Sequence, residues 1–378
     1  MSTQPFRVLI AGGGVAALEA VLAFQDIDHD HALSVEVVAP ESRFVYRPLS
    51  VRDPFGERAT REFDLQPLVE GAGARLRHGQ VDAVDPDGRL VTLAGGTQLD
   101  YDALLLATGA AREPAVRGAS TFSGPADVAA FHSFVESLCG GALRRVAFIV
   151  PQGPSWPLPI YELALQAGTR LRAAGGEAQL AVITPESGPL AMFGDAASEV
   201  VERVLHDHGV TVHPGSYATQ VSGGELHLDM QGSVRVDTAW AAPRLVPRVP
   251  TGVPAGSDGF VPVDAAGRVE GFVDLFAAGD MTQGEVKQGG VAAQQAAVAA
   301  QAIGALAGIS PEPVPAPPVL RALLLTGGEP LWLRSDPWSE TPSEASDEPL
   351  WWPPHKIFGT HLAPLLARLE RHPAEASR

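Results

Sequence analysis

Short unbroken apolar runs alternate along this chain with longer stretches in which apolar residues recur every three to four positions. That is the pattern of buried strands feeding helices. Residues 6–24 read as a strand, a glycine turn (Gly12, Gly13, Gly14) and a helix, and Leu33–Ala39 reads as a second parallel strand. Residues 79–86 and 89–93 form a hairpin turned at Asp87-Gly88, and 101–109 is a buried strand ending in small residues. A helix over 126–138 leads to a fresh buried strand, 145–150. That second series continues as helix 161–174, strand 179–184, helix 196–208 and strand 210–213. The apolar run at 275–278 then precedes an alanine-rich helix, 290–306, and a proline-rich link, 311–318, leads into a C-terminal segment. Alternation of this kind predicts an α/β fold built on parallel sheets.

Composition narrows the class. At 378 residues the chain has room for more than one domain. No apolar run is long enough to span a bilayer, and the first strand begins so close to Met1 that no signal peptide is expected. A formal net charge of −17 argues against nucleic acid as a partner. The single cysteine, Cys139, permits no internal disulfide and no intrachain dithiol chemistry. The eleven histidines show no metal-ligand spacing, so no metal site is expected. A cytoplasmic location follows as the expectation.

Two segments carry the chemistry. In Ala11-Gly-Gly-Gly-Val-Ala-Ala17, Gly12 permits a tight turn after the strand, Gly14 lets backbone approach a pyrophosphate, and Ala17 allows close helix–strand packing. The following helix points its positive N-terminus at the phosphates. Far downstream, Leu275-Phe-Ala-Ala-Gly-Asp280 ends another apolar strand in Gly279 and Asp280. A carboxylate there faces a ligand or caps the next helix. One dinucleotide gripped from both ends of the sequence accounts for both segments.

The order Gly12-Gly-Gly-Val-Ala-Ala17, Leu106-Ala-Thr-Gly109 and Ala277-Ala-Gly-Asp280 resembles that of flavoproteins with two dinucleotide-binding domains, the pyridine nucleotide-disulfide oxidoreductase superfamily. Arg43-Phe-Val-Tyr-Arg-Pro-Leu-Ser50 and residues 320–334 are similar to the branch holding sulfide:quinone reductases and type II NADH dehydrogenases. The resemblance implies two Rossmann-like domains plus a C-terminal cap: an FAD domain from 1–112 and 255–308, a second, NAD-like domain from 113–254, and a C-terminal segment from 309–378. It implies that Gly12, Gly14 and Ala17 cradle the FAD pyrophosphate, that Thr108, Gly109 and Gly279 lie against the cofactor, and that Asp280 accepts a bond from a ribityl hydroxyl. Lys287 and Gln288, at the start of the alanine-rich helix, would face the pyrimidine edge of the flavin. There Lys287 either stabilises the anionic reduced ring or is a solvated surface lysine.

Three departures from the family pattern matter. First, the second strand ends Val38-Ala-Pro-Glu41, so Glu41 is the candidate for the adenosine ribose hydroxyls, with Glu36 facing solvent. Arg47, on the loop after it, contacts phosphate or makes a structural ion pair. Second, where a nicotinamide-binding half should be glycine-rich, the chain reads Pro151-Gln-Gly-Pro-Ser-Trp-Pro-Leu-Pro159. Prolines remove the amides an anion site needs. Trp156 adds bulk, or a ring to stack on the flavin or an aromatic substrate. Glu186 still follows the next strand as a ribose acid would, but NAD(P)H binding is expected to be lost or weak. Third, the cysteine pairs that relay electrons in sulfide:quinone and disulfide reductases are missing.

The tail gathers Trp332, Trp338, Trp351 and Trp352 around an acidic, flexible stretch, 335–349. Phe358, Leu362, Leu365, Leu366 and Leu369 follow at helical spacing, interrupted at Pro364. Peripheral contact with the inner face of the membrane, packing over the flavin domain and packing in a homodimer are the alternatives for this segment. The sequence therefore predicts an FAD-dependent oxidoreductase passing electrons from a small-molecule donor to a quinone or other small acceptor without redox cysteines. The alternatives are an NAD(P)H:quinone oxidoreductase with an atypical nucleotide loop and a flavin-binding protein without turnover.

Overall fold

In the computed structural model, which describes residues 4–229, 232–314, 316–337 and 339–371, the opening strand Phe6–Ala11 is the centre of a five-stranded parallel sheet. Leu33–Ala39 and Arg75–His78 lie on one side, Ala103–Leu106 and Leu275–Ala277 on the other. Ala11 pairs with both Val38 and Leu106, so three strands end level. Connections diverge to opposite sides of the first strand, and the crevice this leaves at the carboxyl ends is where such sheets bind ligands.

The strands are apolar on both faces because both are covered. Helices Val15–Ile27 and Gly289–Leu306, each rich in buried alanine, pack together on one face. An antiparallel meander (Val81–Asp85, Leu90–Leu93, Gln98–Asp100) covers the other through Val84, Val91 and Leu93.

A second five-stranded parallel sheet repeats this plan. Its order is Ser120–Thr121, Thr238–Ala241, Arg145–Ile149, Gln179–Ile183, Val210–His213. Helices Val128–Cys139, Leu158–Ala173 and Asp195–Asp207 pack on one face, and the meander Ala218–Ser222, Glu225–Leu228, Gly232–Arg235 on the other. The chain passes between the sheets twice, and the two passages, Ala110–Glu113 and Arg244–Pro247, pair antiparallel.

The C-terminal segment is more ordered than its composition suggests. The stretch expected to be flexible contributes the strand Ser343–Ser346, which pairs with Leu331–Ser335 and through it with Leu320–Leu324. Trp332 meets Trp351 edge-on, ring centroids 4.5 Å apart; Trp352 is 78% exposed, and Trp338 lies outside the described residues. This small sheet docks on the Leu158–Ala173 helix: Leu325 N–H donates to Glu162 (3.0 Å), and the Thr169 hydroxyl donates to the Thr326 carbonyl (3.0 Å).

The last helix, Leu362–Arg371, returns to the first unit. The amides of His361 and Leu362 donate to the buried Glu19 carboxylate at 2.9 and 2.8 Å. Pro364 does not interrupt this helix; it stands in the first turn, where no N–H is required. The same rule lets the second-unit helix begin at Leu158, ahead of the expected Tyr161, with Pro159 in its first turn.

Candidate functional site

The level strand ends of the first sheet open into a cleft of about 880 Å³. Gly12, Gly13 and Gly14 form one wall. Gly12 has φ +129°, and a Cβ there would collide with the Ala107 carbonyl oxygen, so only glycine closes this turn. A Cβ on Gly14 would meet nothing within 4 Å. Because Gly14 lines the cleft, the open space beside its backbone is a berth for a ligand. Ala17 corrects the expected cradle: it is buried in the core between helix and sheet and does not line the cleft, so it supports the turn without reaching a ligand.

Gly279 and Asp280 enter from the edge strand Leu275–Ala277, with the Gly279 amide donating to Gln295 (2.8 Å). Asp280 is not a helix cap, since Gln288 occupies the cap position of the next helix. Burial raises the Asp280 carboxyl above its ordinary range, opposed by Arg112, Lys287 and Arg47. Lys287 is not a solvated lysine. It is buried, donates to the Thr282 carbonyl and sits 3.9 Å over the Phe260 ring, and burial pushes its ammonium down to about 8. Gln288 donates its amide N–H to the Arg321 carbonyl, which leaves a buried Oε1 with no partner in the protein. A buried acceptor left open beside a cleft is what a ligand donor would satisfy.

Thr108 and Gly109 line the cleft and are tied to the returning passage: the Thr108 hydroxyl donates to the Arg248 carbonyl (2.5 Å) and Arg248 N–H to the Gly109 carbonyl (3.0 Å). Glu41 is exposed at the rim, while Glu36, expected to face solvent, pairs with Arg77 at 2.5 Å. Arg47 also lines the cleft, joined by Arg112 and Arg248. These last two lie on or beside the paired passages between the sheets. Burial and the nearby Arg47 and Arg248 charges lower the Arg112 guanidinium below its ordinary value. Sequence reasoning missed both, although Arg112 follows the Thr108-Gly109 turn closely.

The proline-rich loop supplies Ser155, Trp156, Leu158 and Pro159 to the cleft wall. It is fastened to the Lys287 turn: Ser155 N–H donates to the Glu285 carbonyl and Lys287 N–H to the Ser155 carbonyl, both at 3.1 Å. Trp156 packs edge-on against Phe193, centroids 6.2 Å apart. Glu186 does not stand free as a ribose acid. Its Oε2 accepts from the Tyr161 hydroxyl (2.6 Å) and the Thr184 hydroxyl (2.8 Å), and burial raises its carboxyl.

The C-terminal segment adds Lys356 and Ile357 to the cleft wall, which sequence reasoning also missed. Lys356 Nζ lies 2.7 Å from both Glu162 oxygens and 2.9 Å from the Pro48 carbonyl, and Ile357 N–H donates to the Tyr46 hydroxyl (2.9 Å). Cys139 ends the Val128–Cys139 helix away from the cleft lining, and burial pushes its thiol up. Among the described residues no group of three or more His, Cys, Asp or Glu could hold a metal ion, and no helix is long and apolar enough to cross a membrane.

The profile of the pyridine nucleotide-disulphide oxidoreductase family matches residues 6–137 and 162–296, and the chain belongs to that family. An NADH dehydrogenase-like protein of Mycobacterium tuberculosis is 29% identical over 291 residues, 73% of this chain and 72% of the relative. A probable ferredoxin reductase of Castellaniella defragrans is 29% identical over 295 residues, 73% of this chain and 68% of the relative. Among solved structures, the sulfide:quinone oxidoreductase of Aquifex aeolicus superposes with a TM-score of 0.80 at 18% identity, covering 90% of this chain and 86% of that one. A ferredoxin reductase of Rhodopseudomonas palustris gives 0.65 at 17% identity, covering 87% and 82%. At those identities the likeness is one of fold.

The protein is an oxidoreductase of this FAD-dependent class. FAD fits the cleft by three observations: the open berth beside Gly14, the unpartnered Gln288 Oε1, and the guanidinium groups of Arg47, Arg112 and Arg248 gathered in a chain of net charge −17.

Proposed function

We propose that this protein passes electrons through FAD from a small-molecule donor to a quinone or another small acceptor, with no cysteine relay. Residues 1–112 and 255–308 would form the FAD domain, 113–254 a second dinucleotide-type domain, and 309–378 the cap. The observation that carries the reading is a single cleft with the Gly12–Gly14 turn on one wall and Asp280, Lys287 and Gln288 on another, while the lone Cys139 stays out of it. When bound, FAD supplies reversible two-electron chemistry that no side chain of this cleft can perform.

The chain's own residues bind and polarise. Backbone at Gly12 and Gly14 and the helix N-terminus beyond them hold the pyrophosphate, and Arg47, Arg112 and Arg248 neutralise it. Asp280 accepts a ribityl hydroxyl, with Thr108, Gly109 and Gly279 alongside, and Glu41 takes the adenosine ribose. Lys287 and the N-terminus of the Gly289–Leu306 helix place positive potential at the pyrimidine edge, and Gln288 Oε1 accepts a hydrogen bond there. Trp156 and Lys356 border the space left for substrate. Contact of the C-terminal segment with the inner face of the membrane, next to a quinone pool, is consistent with the exposed Trp352.

Anaerobic titration of the holoprotein with NADH, NADPH, sulfide and a benzoquinol, followed by flavin bleaching, tests the reading. Bleaching by a non-nucleotide donor and reoxidation by quinone support it. The name of the Mycobacterium tuberculosis relative favours a second reading, an NAD(P)H:quinone oxidoreductase, which fast bleaching by NADH would select. Bleaching by dithionite alone would leave a flavin protein without turnover.

A further inference from the structure

We infer that the second five-stranded unit is closed to dinucleotides, and that the Pro151–Pro159 loop is the residue set that excludes nicotinamide cofactors as electron donors. The inference rests on the flavin reading above and narrows the donor class of that site.

A dinucleotide pyrophosphate needs free backbone amides at the strand-to-helix turn. Across residues 150–157, between the central strand and the Leu158–Ala173 helix, few amides remain for an anion, those of Gln152, Gly153 and Trp156. Pro151, Pro154, Pro157 and Pro159 have none. Those of Ser155 and Ile160 already donate, to the Glu285 and Pro157 carbonyls. The Ser155–Val286 bridge also fastens this turn to the loop that carries Lys287, so it cannot open without breaking the wall of the flavin cleft.

The ribose end is closed as well. Glu186 follows its strand where an acid would meet ribose hydroxyls, but Tyr161 and Thr184 hold Oε2, and the residue stands outside the cleft lining. Tyr161 itself is fully buried, so this acid is locked inward by the helix that should present the phosphates. That helix has been given other work. Glu162 takes Leu325 N–H and Lys356 from the C-terminal segment, and Thr169 binds the Thr326 carbonyl. Meanwhile Trp156 packs edge-on against Phe193 and lines the wall of the flavin cleft. Losing two charge-assisted bonds to pyrophosphate weakens binding by roughly two to four decades.

The test uses FAD-saturated protein, so that the first cleft is filled. Flavin content, measured as heat-released FAD, is read first; a flavin-free preparation that takes up no added FAD would overturn the function proposed above. ADP-ribose, which carries the dinucleotide grip without the reactive ring, is then titrated calorimetrically, and NADH reduction is followed by stopped flow. The expected result is no ADP-ribose binding at millimolar concentration and no NADH bleaching on the timescale of seconds, while dithionite still reduces the flavin. Micromolar ADP-ribose affinity, or NADH reduction at tens per second, would overturn the inference even with FAD fully bound.

Discussion

Lys356 and Glu162 form an ion pair in which both side chains are buried, the ammonium 2.7 Å from each carboxylate oxygen. Burial raises the Glu162 carboxyl and lowers the Lys356 ammonium, and each opposes the shift of the other. Removing one partner strands a charge, so Lys356→Met should destabilise the protein by about 3–5 kcal/mol. The double variant Lys356→Met/Glu162→Gln, which keeps an acceptor for Leu325 N–H, should recover most of that loss. Urea unfolding of the four proteins of this cycle measures it; single-variant losses that add up to the loss of the double variant would show that the pair is not coupled.

Asp280→Ala should leave the fold intact and empty the cleft of flavin. Arg112→Ala removes one charged contact, at about 1.5–3 kcal/mol, and should weaken FAD retention by about one to two decades. The ratio of flavin to protein absorbance after desalting, with a titration of added FAD, reads both.

Lys287 gives an alkaline signature. Its native ammonium releases a proton near 8, against 10.5 for the ordinary side chain. Between those values the unfolded chain binds more protons than the folded one, so this residue makes stability rise with pH across the window. Urea midpoints of flavin-free protein at several pH values, compared with Lys287→Met, should show the wild type gaining on the variant from about pH 8 upward. A difference that stays flat or falls would contradict the burial assigned to the ammonium.

Cys139→Ser should keep the flavin spectrum and turnover with any working donor, because the thiol lies outside the cleft lining and burial disfavours its thiolate. Steady-state rates of the two proteins, normalised to bound flavin, decide the point; a large loss would place a thiol step in the reaction.

Much of both sheets was legible because the signals are local. Leu33–Ala39 and Val210–His213 begin and end where the apolar pattern changes, and the Gly12 turn is written in three consecutive residues. The residues that were missed depend on pairings that no local pattern encodes. Glu19 meets Leu362 across 343 positions, Glu162 meets Lys356 across 194, and Arg112 and Arg248 reach the cleft only because their two passages pair. Short strands such as Ser343–Ser346, polar apart from Ala345, have no apolar alternation to betray them. The prolines of the 151–159 loop are visible in the sequence as residues without an N–H, whereas the bridge from Ser155 to Val286 has no counterpart there.

The tie between Glu19 and the amides of His361 and Leu362 also bears on how the chain is made. Glu19 leaves the ribosome 342 and 343 residues ahead of its two partners. The edge strand Leu275–Ala277 and the Gly289–Leu306 helix, which complete the first sheet and its covering, are likewise synthesised after the entire second sheet. The second sheet can therefore fold while the first still waits for its edge. A nascent chain stalled before residue 275 has the glycine turn but neither the edge strand nor the Glu19 clasp, so cofactor loading has to follow synthesis of the second sheet.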